Sequence, residues 1–432
     1  MGRNKLMIIA DPIGIIFSAI SIAITFLYIH YVYYAVKGFN KRKASPSVPP
    51  QKRFAVLIPA RNEEKVIADA VRSAMASNYP KELFDVHVIV DDSNDPTAEI
   101  ARREGAQVLV RENSSQPGLG RVLEWTLPKL MQMDRYDAFV IIGADCVISK
   151  DYLQLMNNEL VAGYKVVQGH LKSKNPKQDW VTKTIHADYT VRNRFFKQAR
   201  VDNNLCVFIE PGECISADII KKYGWNFTSV AEDLEFTSHL ACEGIAVRWV
   251  QDALVYDEKP NSLAIALKQR KRWMTGHADV LVRYSRKLLS SAIRKRNTIA
   301  LDCLLYLLFP IFMLLWFFGL IAFVLSGSRF TLLAILPEPL HDPAIVALFN
   351  IFLGFWWVIV PWVALYLEGE NASEYWYTPI TIMFLSLAQA FLFAYGMFRR
   401  KDRSWWRTPH HVSLSTSPAT HIVDPALDPP EK

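Results

Sequence analysis

Apolar residues follow two rhythms along this chain. Near both ends they run almost unbroken. Between the ends they come in short bursts, each followed by a polar cluster. The first long run, Pro12–Val36, has about 25 mostly apolar residues, enough to span a bilayer. No small-residue cleavage site follows it, and it ends in Tyr28, Tyr31, Tyr33 and Tyr34, an interfacial aromatic cluster. An uncleaved anchor is therefore expected rather than a signal peptide. Lys37, Lys41, Arg42 and Lys43 then place the next region on the inner side. Three further runs, Leu301–Leu325, Ala344–Leu367 and about Pro379–Phe398, are also long enough to cross. Pro310 and Pro361 predict kinks in two of them.

The middle of the chain reads differently. Phe54–Ile58, Val86–Val90, Ala106–Val110 and Ala138–Ile142 are short apolar bursts that predict buried strands. Helices are expected up to about Ala76, from Pro96 behind Asp95 as N-cap, and over Leu119–Met131, where Pro128 should disturb the last turn. This alternation predicts an α/β domain, a mostly parallel sheet with helices on both faces. Ligands in such sheets bind beyond the carboxyl ends of the strands. Three polar clusters lie there, at Arg61–Glu64, Asp91–Asp95 and Asp145, which supports one shared pocket. Further on, Val166–Gln168 reads as a strand, Trp180–Gln198 as an amphipathic helix and Glu210–Ala217 as a loop. Glu232–Glu243 reads as a helix, Ala246–Val250 as a strand and Leu263–Arg286 as helices with a basic face. The proline-bearing tail from Ser413 reads as disordered. The expected organisation is an anchor and linker over 1–50, a catalytic domain over 51–260 and basic interface helices over 261–298. A membrane region over 299–400 and a tail over 401–432 complete it.

Charge sharpens the picture. The chain of 432 residues carries +7, but Lys268–Arg296 alone holds ten Lys or Arg against the single acid Asp279. A basic face beside membrane segments fits anionic lipid headgroups and a diphosphate, and no nucleic-acid partner is expected. Cys146, Cys206, Cys214, Cys242 and Cys303 form no CxxC pair, so a reducing compartment is the simple reading. Sidedness is in conflict. Three spans after a cytosolic domain put the carboxyl end outside, whereas Arg399, Arg400, Lys401 and Arg403 argue for inside. Either one run is re-entrant or Phe330–Leu336 belongs to a further crossing.

The chemistry concentrates in Ser229–Gly276. Glu232-Asp233 opens a predicted helix, where acids can be plain caps. Some thirty-five residues on stand Gln269, Arg272 and Trp273. A carboxylate can take a proton from a hydroxyl, arginine can hold phosphate oxygens, and an indole face can carry a sugar ring. With these residues the chain resembles the membrane-bound family 2 glycosyltransferases, which include cellulose, chitin and hyaluronan synthases and ceramide glucosyltransferase. The resemblance covers roughly residues 52–280.

It implies a GT-A-like fold and an inverting transfer with Asp233 as base. Donor contacts are implied at Pro59, Glu63, Asp91, Asp92, Asp145, Gln269 and Arg272, and acceptor contacts at Glu232 and Trp273. A magnesium or manganese ion is implied at Asp145, although Gly143 stands where the family usually has a first aspartate. Trp405-Trp406-Arg407-Thr408 resembles a segment that follows the last span in some relatives. The resemblance implies a UDP-sugar donor and, as acceptor, a growing polysaccharide in first place or a lipid as the alternative. A multi-pass protein of the plasma membrane with a cytosolic catalytic domain is expected, with membrane lipids as partners and a homo-oligomer compatible with the few spans.

Overall fold

The structure, a computed structural model, describes residues 26, 29–30, 32–34, 36–37, 39, 45–91, 96–112, 117–203, 205–326, 358–404, 406–410 and 412. The remainder of the first apolar run, Ala344–Trp357, Phe330–Leu336, Asp92 and the tail from Ser413 lie outside the described residues.

The apolar bursts become strands β1 (Phe54–Ala60), β2 (Phe84–Val90), β3 (Gln107–Val110) and β4 (Ala138–Ile141). They pair in parallel, β3-β2-β1-β4. Helices α1 (Ile67–Met75), α2 (Thr97–Arg103) and α3 (Leu119–Met131) connect them. Helix α3 keeps its predicted limits and runs through Pro128. The Gln132 amide still donates to the Pro128 carbonyl, so only the one bond that proline nitrogen cannot give is lost.

Beyond β4 the sheet departs from the expected pattern. Strand β5 (Val147–Ile148) and helix α4 (Tyr152–Val161) were not anticipated. Strand β6 (Val166–Ser173) is longer than its apolar start suggested. The segment read as a loop over Glu210–Ala217 contains strand β7 (Glu213–Ser216), inserted antiparallel between β4 and β6. Its turn residues, Pro211 and Gly212, precede the strand and hid it. Helix α7 (Ala217–Tyr223) follows directly. Strand β8 (Arg248–Asp257) completes an eight-stranded mixed sheet among the described residues, in the order β3-β2-β1-β4-β7-β6-β8-β5.

Both faces are covered. On one face Ile67, Val71, Leu153, Met156, Val181 and Ile185 pack on the sheet. On the other, Val122, Leu127, Phe236, Leu240, Ala278 and Leu288 do so. The long amphipathic helix is three pieces in one line: α5 (Trp180–Val191), a π-helical turn over Arg192–Lys197 and α6 (Gln198–Asp202). Its start is fixed by Asp179, whose carboxylate accepts from the Val181 and Thr182 amides while Thr182 bonds back to the Asp179 amide.

Helix α8 (Glu232–Cys242) and the 32-residue α9 (Leu263–Arg294) carry the motif residues. Helices α10 (Thr298–Ser326), α11 (Val358–Leu367) and α12 (Thr378–Arg399) follow. Two helices, Thr298–Phe318 within α10 and α12, are long and apolar enough to cross a membrane by length and composition. Two glycines set how these helices meet. A Cβ on Gly276 would lie 2.6 Å from the Ala231 Cβ, and one on Gly396 would lie 2.8 Å from the Met274 carbonyl oxygen. Helix α9 is thereby pressed between the start of α8 and α12, with Arg272 and Trp273 one turn away.

Candidate active site

One cavity of about 650 Å³ collects Pro59, Glu63, Asp91, Asp145, Glu232, Asp233, Gln269, Arg272 and Trp273 in its lining. Of the donor, acceptor and catalytic residues that the resemblance implies, Asp92 lies outside the described residues.

The first wall is the carboxyl edge of the parallel strands. Asp91 directly follows β2 and is buried. Its carboxylate accepts from Arg111 Nε at 2.6 Å and faces Arg61 Nη1 at 3.8 Å. Arg61 opens the polar cluster expected after β1, whereas Arg111 was not singled out; each follows a neighbouring strand end, and the topology brings them together. Glu63 lies in the β1 exit loop, where Asn62 takes a left-handed φ of 56°, a conformation asparagine tolerates better than most residues.

Asp145 follows β4. Its Oδ2 accepts from the Glu258 amide at 3.2 Å. Burial pushes its carboxyl up, but His410 and Lys174 outweigh that and hold it below the usual carboxylate range. Gly143 has a local role here. A Cβ at 143 would lie 2.6 Å from Asp145 Oδ1, so the carboxylate of Asp145 fills the space a side chain at 143 would need.

The second wall is the start of α8 with α9. Asp233 Oδ1 accepts from the Leu234 amide at 2.7 Å. Burial raises the pKa of Asp233, Glu210 adds to that and Arg272 opposes it. Burial and the charge of Asp233 raise Glu232 as well. Two adjacent half-buried carboxyls thus sit above their ordinary range beside a guanidinium. Arg272 donates to the Val230 carbonyl at 3.4 Å, and its Nε has no partner among the described residues. Gln269 donates to Thr408 Oγ1 at 3.3 Å.

That last contact belongs to a wall the motifs only hinted at. The segment after α12 folds back over the sheet edge. Arg407 donates to Glu63 Oε1 at 3.2 Å and to the Asn62 carbonyl. His410 Nδ1 lies 3.1 Å from Glu63 Oε2, and its Nε2 lies 3.8 Å from Asp145 Oδ2. The Val412 amide donates to Glu258 at 2.8 Å. Burial works against charge on His410, but Asp145 and Glu63 lift the imidazole to about 9. Of the Trp405–Thr408 segment, Trp406 lies against Lys268, whose Nζ is 4.3 Å from its ring centroid, and Trp405 is outside the described residues.

The far end of the cavity is apolar. Tyr306, Phe309, Pro310, Met313 and Trp316 of α10 line it, with Met383 of α12 and Phe195, Phe196 and Phe208 from the domain.

A mixed α/β sheet with carboxylates at its strand ends and an acidic pair beside an arginine is the framework of a GT-A-type sugar transferase. The chain belongs to glycosyltransferase family 2: the model described as "Glycosyltransferase like family 2" matches residues 49–276. It is similar to the "Probable glycosyltransferase YdaM" of Bacillus subtilis, at 24% identity over 83% of this chain and 87% of that protein. It is also similar to the "Beta-monoglucosyldiacylglycerol synthase" of Trichormus variabilis, at 26% identity over 59% of this chain and about half, 54%, of that protein. Among solved structures, the "Mannosyltransferase PcManGT from Pyrobaculum calidifontis in complex with GDP-Man and Mn2+" superposes with a TM-score of 0.58. The identity there is 16%, over 88% of this chain and 99% of that one. This likeness is one of fold.

Proposed function

We propose that the protein transfers a hexose or N-acetylhexosamine, with inversion, from a UDP-sugar to a hydroxyl of a membrane lipid. The observation that carries the acceptor half is the continuity of the cavity. A single space runs from Asp91 and Asp145 past Asp233 to Phe309, Met313 and Trp316 on a helix apolar enough to lie in a membrane. An acyl chain suits the apolar end, and its hydroxyl headgroup would then reach Asp233. The name of the Trichormus relative, a glucosyldiacylglycerol synthase, supports the same reading.

In this reading Asp233 takes the proton of the acceptor hydroxyl, whose oxygen attacks the anomeric carbon as the bond to the diphosphate breaks. Raised by burial, Asp233 suits a base near neutral pH. Asp91 and Glu63 face the nucleotide, while Gln269 and Arg272 face the diphosphate. The Nε of Arg272, which has no partner among the described residues, is a donor suited to a phosphate oxygen.

No group of three or more His, Cys, Asp or Glu that could hold a metal ion occurs among the described residues. Asp145, ionised and oxygen-bearing, still fits a hard cation that takes its other ligands from phosphate and water. Asp145 would hold the magnesium or manganese ion, which when bound neutralises charge on the leaving diphosphate.

The polysaccharide reading keeps one observation in its favour, since Trp273 lines the cavity beside Arg272 and could carry a sugar ring. Purified protein in lipid bilayers, given a panel of UDP-sugars with diacylglycerol or with oligosaccharide primers, separates the two by product mass. A glycolipid carrying one or a few sugars is expected. Extension of the primer with no glycolipid would sink the lipid reading.

A further inference from the structure

Most acids lining the cavity face a cation. Asp91 faces Arg111, Glu63 faces Arg407, Asp188 faces Arg192, Glu210 faces Lys197 and Asp257 faces Lys259. Glu213 does not. It begins β7, is only 4% exposed and turns into the cavity. Among the described residues no side chain hydrogen-bonds or pairs with its carboxyl group.

Its position is nonetheless tightly set. Glu213 pairs with Ile141 of β4 on one side and with Gln168 of β6 on the other. The preceding Gly212 has φ +91°, and a Cβ there would lie 2.5 Å from Val255 Cγ2, so only glycine fits. The Tyr152 hydroxyl and the Gln168 side chain both donate to the Gly212 carbonyl. A fixed turn thus delivers to the floor of the site a buried acid whose carboxyl meets its own backbone amide and, among the described residues, no side-chain partner.

Two facts locate that floor. Ile141 lies four residues before Asp145, and the charges that reach Glu213 come from Asp233 and Glu232. Glu213 therefore shares one cavity with Asp145 at the proposed diphosphate end and with the proposed base, a position suited to the sugar in transit. Burial raises its carboxyl well above the usual range, with Asp233 and Glu232 adding to that, which favours the neutral form. A neutral acid both donates and accepts hydrogen bonds, as does a sugar hydroxyl, and it does not repel a diphosphate.

We propose that Glu213 hydrogen-bonds a hydroxyl of the donor sugar and so helps select which sugar is transferred. This rests on the nucleotide-sugar reading above, and the test separates the two. Binding of UDP, UDP-glucose, UDP-galactose, UDP-N-acetylglucosamine and GDP-mannose would be measured by calorimetry on the full-length protein in detergent. Glu213→Ala is expected to weaken the preferred nucleotide sugar roughly tenfold and to leave UDP within about twofold. Glu213→Gln keeps shape and hydrogen-bonding capacity and should bind that sugar nucleotide within about threefold of wild type. Where the alanine variant does not fold, Glu213→Met keeps the volume and replaces it.

Unchanged sugar-nucleotide binding in the alanine or methionine variant overturns the proposal. So does an equal loss of UDP, or a glutamine variant as weak as alanine. A wild type that binds no nucleotide sugar removes the donor reading itself, and this inference with it.

Discussion

At the sheet end of the cavity, charges are paired in advance. Asp91 sits between Arg111 and Arg61, and Glu63 between Arg407 and His410. At the helix end, Phe309, Met313, Trp316 and Met383 supply apolar surface with no charged residue among them. Paired charges are costly to rearrange in a buried site, so the sheet end is preorganised and suits a ligand of fixed shape and charge. Apolar side chains on helices repack at small cost, so the helix end suits a flexible chain of variable length. Asp233, Arg272 and Trp273 stand at the junction.

The largest effect is expected at that junction. Asp233→Asn keeps the shape and removes the base, so turnover should fall by about 10² or more while donor binding persists. Single-turnover product formation and UDP-sugar binding check the two halves. Wild-type turnover in the variant would end the assignment of the base.

Next come two variants that pull the ends apart. Arg272→Ala removes a donor suited to phosphate oxygens and should weaken UDP-sugar binding by roughly tenfold or more. Met313→Trp narrows the apolar end, where Met313 is nearly buried on α10. It should leave UDP-sugar binding unchanged and lower use of long-chain acceptors several-fold relative to short-chain ones. A tryptophan variant with unaltered chain-length preference would show that the helix end does not hold the acceptor.

The same contrast explains what the sequence revealed. The sheet end was legible because a parallel α/β sheet repeats one unit, so Asp91 and Asp145 announce themselves after apolar bursts. The motif Gln269, Arg272 and Trp273 was legible by resemblance. Strand β7 was not, because Pro211 and Gly212 are turn residues and Glu213 is charged. Only pairing with β4 and β6 makes that stretch a strand, a case of tertiary context overriding local preference. Arg407 and His410 were hidden for another reason. They lie 344 and 347 residues from Glu63, and no local pattern reports a contact across that distance. The apolar end was legible in part, since α10 and α12 are long and apolar enough to cross a membrane. Apolar runs on α10 and α12 read as plain membrane crossings, and periodicity does not tell a lipid-facing side chain from one that lines a cavity.

The smallest effect expected is a shift in pH dependence, and it bears on the junction alone. Burial, with Glu210 adding to it and Arg272 opposing it, lifts Asp233 to about 6. Glu232 and Glu213 are acids of the same neighbourhood, both raised by burial and by Asp233. A base must be deprotonated to act. Activity should therefore be lost as pH falls through about 6, well above the ordinary aspartate range, and be retained above it. Glu210→Gln removes one of the negative charges that favour the protonated form of Asp233. The acidic limb should then move to lower pH, with turnover on the plateau little changed. Lys197, the partner of Glu210, is freed by the change and pushes the limb in the same direction. The measurement is turnover at saturating UDP-sugar across the acidic range, with stability of the variant checked at each pH. A limb that stays in place would mean that the titrating group is not near Glu210. A limb that moves upward would mean that Glu210 holds the junction together through Lys197 rather than through its charge on Asp233.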